Sequence, residues 1–344
     1  MALCLASALC SAIGPLSAQQ PSSDAATDLL NTTAVHPRQA ERALARSMMD
    51  NPRNPLLEVV TSEGDLYLEL FQDAAPRNTA LLLELVQMER EQPAAEPITT
   101  RAPQGRFAPR PALVEMPPQE PVYYYDGMRI TRLGPDLFIE FGDPETRGEM
   151  HGQAPNETAG SAPGEPFGEP FGESSGSRRP VVSVPDEINA RGLGLEQQRL
   201  LDAQGRPHPW LNLADEADFQ RKVLAPLYRT MNIGSSAQLE TQQDAVMTRL
   251  QQMNLMQVYE NMGYRYSGQL ASRRPVSGSV LMANHGPGSN NGDIIITLTD
   301  TPWLTGTHTV VGQLVSGQSI SRLISRQPPG AVQIQQLRYV EELP

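Results

Sequence analysis

Cysteine is nearly missing from this chain of 344 residues: there are two, Cys4 and Cys10, both within the first ten positions. A disulfide framework, a cysteine zinc site and a thiol nucleophile in the body of the chain are thereby excluded. Lysine is scarcer still, with Lys222 alone, so positive charge rests on arginine; 27 basic against 39 acidic residues leave a net charge of −12. That balance disfavours nucleic-acid backbones and anionic membrane surfaces as partners. Beyond the first sixteen residues no apolar run approaches the ~20 residues that a membrane span requires. Phosphate-binding loops and nucleophile elbows are also wanting. Gly286-Pro287-Gly288 is followed by neither a helix start nor a P-loop lysine. The histidines, His36, His151, His208, His285 and His308, lack metal-ligand spacing. No metal and no cofactor is expected.

What is present begins with an apolar, uncharged stretch over residues 1–16, followed by Ser17-Ala18 and a polar run. It reads as a signal-peptide core over 1–18 with cleavage after Ala18, despite the absence of a basic residue before it. The expected location is periplasmic or secreted. The alternative is an apolar N-terminal segment without an address. Residues 19–54 read as a polar extension with a short helix over 37–49, its apolar stripe at Ala40, Leu44 and Met48.

From Leu56 the apolar period changes to two. Leu57, Val59, Leu66, Leu68 and Leu70 alternate with polar partners across the turn signal Ser62-Glu63-Gly64-Asp65. Pro76 then opens a leucine-rich helix over 77–88. Residues 91–121 hold eight prolines and read as an extended loop. Strand character returns over 122–141. Residues 146–180 are low in complexity, with Gly-Glu-Pro-Phe repeated in tandem at 164–167 and 168–171. Residues 191–270 look helical, with Leu239, Val246, Leu250, Met253, Met256 and Tyr259 forming a stripe expected to pack against the β-structure. Residues 278–315 and 332–340 are strand-rich. Strand blocks enclosing non-strand segments point to one mainly β domain over 55–344, with insertions at about 90–121, 146–180 and 191–275.

Four blocks in that order resemble the cyclophilins. The first is 59–71 with Asp73-Ala74-Ala75-Pro76-Arg77-Asn78-Thr79. The second runs from Tyr125-Asp126-Gly127-Met128-Arg129-Ile130-Thr131-Arg132 through Leu137-Phe138-Ile139-Glu140-Phe141-Gly142-Asp143. The third is Pro185-Asp186-Glu187. The fourth joins Val280-Leu281-Met282-Ala283-Asn284-His285-Gly286-Pro287, Ile294-Ile295-Ile296-Thr297 and Trp303-Leu304-Thr305-Gly306-Thr307-His308-Thr309-Val310-Val311-Gly312. The resemblance implies a closed antiparallel barrel of eight strands capped by two helices. It also implies prolyl isomerase (rotamase) activity in protein folding, with proline-containing polypeptides as clients. Residue by residue, Arg132 takes the catalytic place. Leu137, Phe138, Ile295 and Leu304 line the proline pocket, Trp303 and His308 form its rim, and Ala283 and Asn284 hold the substrate backbone. Cyclosporin-type ligands are a candidate occupant of the same cleft, weakened by the departures below.

The implied chemistry is physically coherent. Amide resonance resists rotation by ~18–20 kcal/mol. At the twisted transition state the prolyl nitrogen becomes pyramidal and accepts a hydrogen bond, so a guanidinium there stabilises the twisted form above either planar form. The chain departs from the family at Thr131, where histidine is common; at Glu140 and Asp293, where glutamine is usual; and at Leu137 and Ile295, where aromatics line the pocket. Two amide donors thus become acceptor-only carboxylates when ionised. Other readings stay open: a binding or chaperone module with weak or no isomerase activity, Arg132 as a structural partner of Glu140, or a metal held by His308, Glu140 and Asp293.

Overall fold

The computed structural model describes residues 37–90, 121–143 and 183–341. The expected signal peptide, the insertion at 146–180 and most of that at 90–121 lie outside them. The chain divides into two units, residues 1–44 and 45–344, and all that follows concerns the second, apart from the start of the first helix.

In chain order the elements begin with α1 (Pro37–Ser47), the hairpin β1 (Leu56–Thr61) and β2 (Gly64–Leu70), and α2 (Pro76–Gln87). Strands β3 (Arg129–Ile130), β4 (Arg132–Gly134) and β5 (Phe138–Phe141) follow. A helical segment then carries α3 (Glu216–Phe219), a π turn (Gln220–Leu224), α4 (Ala225–Thr230), α5 (Ser236–Gln252) and α6 (Leu255–Met262). The chain closes with β6 (Ser279–Met282), β7 (Ile294–Thr297), β8 (Val310–Ser316), α7 (Gln318–Ser325) and β9 (Val332–Tyr339). Helix α7, which packs Ile320 and Ile324 on the barrel core, falls in the stretch between residues 315 and 332 to which the sequence patterns assign no element; with α2 it makes up the two helices that the resemblance implies. The stripe expected through Ala40, Leu44 and Met48 is not the buried one: Ala45 in α1 and Met49 just beyond its end are buried, while Leu44 and Met48 are exposed.

All strand pairs are antiparallel, in the order β3-β9-β1-β2-β8-β6-β7-β5-β4. The two end strands, β3 and β4, are separated in sequence by Thr131 alone. The ends of the nine-stranded sheet therefore meet covalently, and the sheet curls into a nearly closed barrel. The count of nine departs from the expected eight for one reason: the pairing breaks at Thr131, where the same run leaves β9 and joins β5. Inward residues fill the barrel in alternation, among them Leu57, Val59, Leu66, Leu68, Ile139, Phe141, Val280, Met282, Ile294, Ile296 and Ile334.

The helical insertion has a hydrophobic core of its own. Leu195, Leu200, Val223, Leu227, Val246, Leu250, Met253, Leu255, Val258 and Tyr259 cluster there, with Met256 and Leu239 against them. This corrects the expected packing of the methionine stripe on the barrel: it closes a second core. The reason is length, because residues 190–266 supply enough apolar side chains to bury one another.

Candidate active site

Strand alternation puts two different clusters on the two faces of β5, β6 and β7. Ile139, Phe141, Val280, Met282, Ile294 and Ile296 point into the barrel. Phe138, Leu281 and Ile295 point outward, where Phe71, Ala74, Ala283, Leu304 and Val310 join them and Leu137 and Trp303 pack on the edge. Every apolar residue expected in the pocket is in this one cluster. Phe71, Ala74, Leu281 and Val310 belong to it too. The resemblance covers their blocks but did not assign them to the pocket, because a residue on an outer strand face has the same apolar identity as one in the core.

Glu140 continues the outward row, two residues from Phe138 and so about 7 Å along the strand. It stands opposite Ile295 on one side and Arg132 on the other. Arg132 Nη1 donates to Glu140 Oε1 in an ion pair across the β4–β5 ladder. The arginine side chain is 42% exposed and the glutamate 8%. Glu140 Oε2 is buried with no hydrogen-bond partner among the described residues. Burial pushes the Glu140 carboxyl up to about 7; Arg132 pulls it down, and the nearby Asp293 and Asp143 charges push it further up. Asp293 is half-buried just before β7, its carbonyl accepting from Ala283 N at 2.8 Å. Gly142, with φ of +129°, lies so close that a Cβ would stand 2.7 Å from Asp293 Cα. Glycine is what lets the end of β5 and Asp293 come together.

His308 is close enough to Arg132 to feel its charge. Burial, helped by the Arg132 charge, lowers its imidazole to about 4, so it is neutral near pH 7. Its Nδ1 is 3.0 Å from Thr307 Oγ1. Trp303 and Leu304 sit in a 3-10 turn, Pro302–Leu304, and the buried indole Nε1–H of Trp303 has no acceptor among the described residues.

Asn284 ties together two loops that flank the outward cluster. Its Nδ2 donates to Thr307 O at 2.9 Å and its Oδ1 accepts from Gly286 N at 3.2 Å. Asp186 holds the same loop from outside, accepting from Gly288 N at 2.7 Å. His285 donates its backbone N–H to Ser289 Oγ at 2.8 Å and is exposed. The insertion supports the far rim. Tyr266 Oη donates to Gly306 O at 2.9 Å, and Gly306, with φ of +92°, would place a Cβ 2.6 Å from Leu195 Cδ1. Of these supporting residues, Tyr266 and Leu195 had no signal in the sequence, since they reach Gly306 from about 40 and 110 positions away. Arg132, Leu137, Phe138, Glu140, Ala283, Asn284, Asp293, Ile295, Trp303, Leu304 and His308 are thus all brought to one region. Among the described residues no group of three or more metal-ligating side chains stands together, and no helix is long and apolar enough to cross a membrane.

A family model described as cyclophilin type peptidyl-prolyl cis-trans isomerase/CLD matches residues 56–339. Among curated proteins, the peptidyl-prolyl cis-trans isomerase ppi1 of Schizosaccharomyces pombe is 48% identical over 46 residues, which is 13% of this chain and 30% of that protein. The peptidyl-prolyl cis-trans isomerase-like 1 of Aspergillus oryzae is 36% identical over 73 residues, 19% of this chain and 45% of that protein. The chain therefore spans less than half the length of these relatives. A cyclophilin type isomerase of Cryptosporidium parvum, known from its crystal structure, aligns at 15% identity over 84% of this chain and 99% of its own, with a TM-score of 0.37.

Proposed function

Because the chain belongs to the cyclophilin-type peptidyl-prolyl cis-trans isomerase family, we propose that it catalyses cis/trans isomerisation of Xaa-Pro bonds in polypeptide clients. The observation that carries this reading is the half-exposed Arg132 guanidinium beside an outward apolar cluster of Leu137, Phe138, Ile295, Trp303 and Leu304. In the proposed mechanism the cluster grips the pyrrolidine ring, and the carbonyl preceding proline swings. Arg132 donates to the prolyl nitrogen as it becomes pyramidal, an interaction present only in the twisted state. The neutral His308 leaves the guanidinium the dominant positive charge there. The Trp303 indole N–H and the backbone of Ala283 and Asn284 are the groups that would hold the client chain. No covalent step enters.

Secreted or envelope proteins are the proposed clients. The apolar stretch 1–16 ending in Ser17-Ala18 supports that reading, and cell fractionation with N-terminal sequencing of the processed chain tests it. The second reading, a binding module of low turnover, is favoured by one specific observation: the Arg132 donors are shared with Glu140. An exchange-NMR or protease-coupled assay on an Xaa-Pro peptide separates the two. Arg132→Ala is expected to lower kcat/KM on the order of 10²-fold, the scale of losing one transition-state donor. Equal turnover in the variant and the wild type would leave the binding module as the reading.

A further inference from the structure

We propose that Glu140 is a positioning residue that acts as a proton-controlled latch on Arg132. With its carboxylate ionised it docks the guanidinium against β5. With a proton on Oε2 it loosens that pair and frees the guanidinium for the client amide. The inference rests on the isomerase reading for its consequence, but not for the latch itself.

Three geometric facts carry it. Arg132 and Glu140 are directly opposed in the β4–β5 register, so the barrel's pairing holds the two side chains next to each other. The pair is lopsided in its solvation, with the guanidinium at 42% exposure and the carboxylate at 8%. Of the two carboxylate oxygens, Oε1 accepts from Arg132 while Oε2 is buried with no partner among the described residues. A buried oxygen that accepts nothing gains by holding a proton, because that removes a charge from an apolar wall formed by Phe138 and Ile295 on the same outer face.

The charges around the pair point the same way. From β4 comes Arg132, which lowers the proton affinity of Glu140; from before β7 comes Asp293, and from after β5 comes Asp143, both of which raise it. His308, facing Arg132 from the segment before β8, is neutral near pH 7 and adds no charge. The Glu140 carboxyl titrates at about 7. Arginine stays charged throughout, so within the pair it is the glutamate that changes in this range. Above pH 7 the ionised carboxylate competes with the prolyl nitrogen for the same N–H groups. Below it the competition falls, and the protonated Oε2 becomes a donor where the ionised form only accepts.

Two measurements on the full chain test this. In the first, kcat/KM on a neutral Xaa-Pro peptide is followed from pH 5.5 to 8.5. The wild type is expected to lose on the order of tenfold as pH rises, the scale of one charge-assisted hydrogen bond. Glu140→Gln should hold the acid-side value across the range, and Asp293→Asn should move the midpoint to lower pH. In the second, the Arg132 Nε–H resonance is titrated by NMR, a readout that needs no turnover. It should follow a single transition near pH 7 in the wild type and none in Glu140→Gln. An Arg132 signal that does not move with pH, or a pH profile of turnover shared by the wild type and Glu140→Gln, overturns the latch. Absence of turnover at every pH together with a titrating Arg132 signal would sink the isomerase reading and leave the latch standing.

Discussion

At the residue scale the site is governed by burial acting on a few ionisable groups. Glu140 carries a carboxyl raised from 4.5 to about 7 in the folded chain. The folded state therefore binds its proton more tightly than the unfolded state does. Stability falls as pH rises from about 4.5 to 7 and is fully reduced above that. A shift of this size corresponds to at most about 3 kcal/mol. Glu140→Gln is therefore expected to raise Tm at pH 8 and to change it much less at pH 5; thermal melts at the two pH values check this, and equal shifts at both would contradict it. Asp186, raised to about 6 by burial, has the same sign. His308 has the opposite one, since its lowered proton affinity removes stability as pH falls from 6.5 toward 4. Under the proposed function, Glu140 and Asp293 would also bear on substrate choice. The double change Glu140→Gln, Asp293→Gln is expected to raise turnover on a neutral peptide and to weaken any preference for Arg or Lys beside the proline. Steady-state kinetics on a neutral and a basic peptide at two salt concentrations measure both effects. Loss of activity on both peptides would mean that the carboxylates are productive.

At the scale of elements, the decisive joints are those that link one segment to another far along the chain. Helix α2 begins after Ala75, whose side chain cannot cap it. Glu187 does so from 109 positions away, accepting from the N–H groups of Arg77 and Asn78 at 2.9 Å and from Asn78 Nδ2 at 2.9 Å. The carboxylate meets the unsatisfied donors and the positive end of the helix together. This gives Pro185-Asp186-Glu187 two supporting tasks: Glu187 fixes α2, and Asp186 fixes the loop carrying Gly288. Glu187→Ala is expected to cost roughly 1–3 kcal/mol, the range for losing buried charge-assisted hydrogen bonds. Urea denaturation would measure it, and a change below about 0.5 kcal/mol, the level of an ordinary surface substitution, would show that water replaces the cap without loss.

At the scale of the whole second unit, two cores share one rim. The insertion's core reaches the barrel's outer pocket through Gly306, which is bonded by Tyr266 and packed on Leu195 and Tyr259. The 3-10 turn Pro209–Leu211 lies beside the turn that bears Trp303 and Leu304. Met253, fully buried in the second core, is the place to separate them. Met253→Ala is expected to cost about 2–5 kcal/mol locally by leaving a cavity. It should raise the peptide KM more than it lowers kcat, because Arg132 and Glu140 stand on the barrel side. Hydrogen exchange should show lost protection over 195–266 with the barrel strands retained. Uniform loss across β1 to β9 would mean that the cores unfold as one.

Sequence alone determined the period-two runs, the proline-opened helix and the order of blocks that leads to a barrel, because strand alternation and helix starts are local properties of neighbouring residues. It also marked Arg132 and the residues of the outward apolar cluster as candidates, through the resemblance their blocks carry. Tertiary structure decided what depends on partners distant in the chain. It broke the run 129–134 at Thr131 and so joined the barrel's ends, and it turned the methionine stripe into a second core. It also set Arg132 against Glu140 with one carboxylate oxygen buried and unpaired. A carboxylate's charge state follows from its surroundings, and those surroundings exist only once the strands have met.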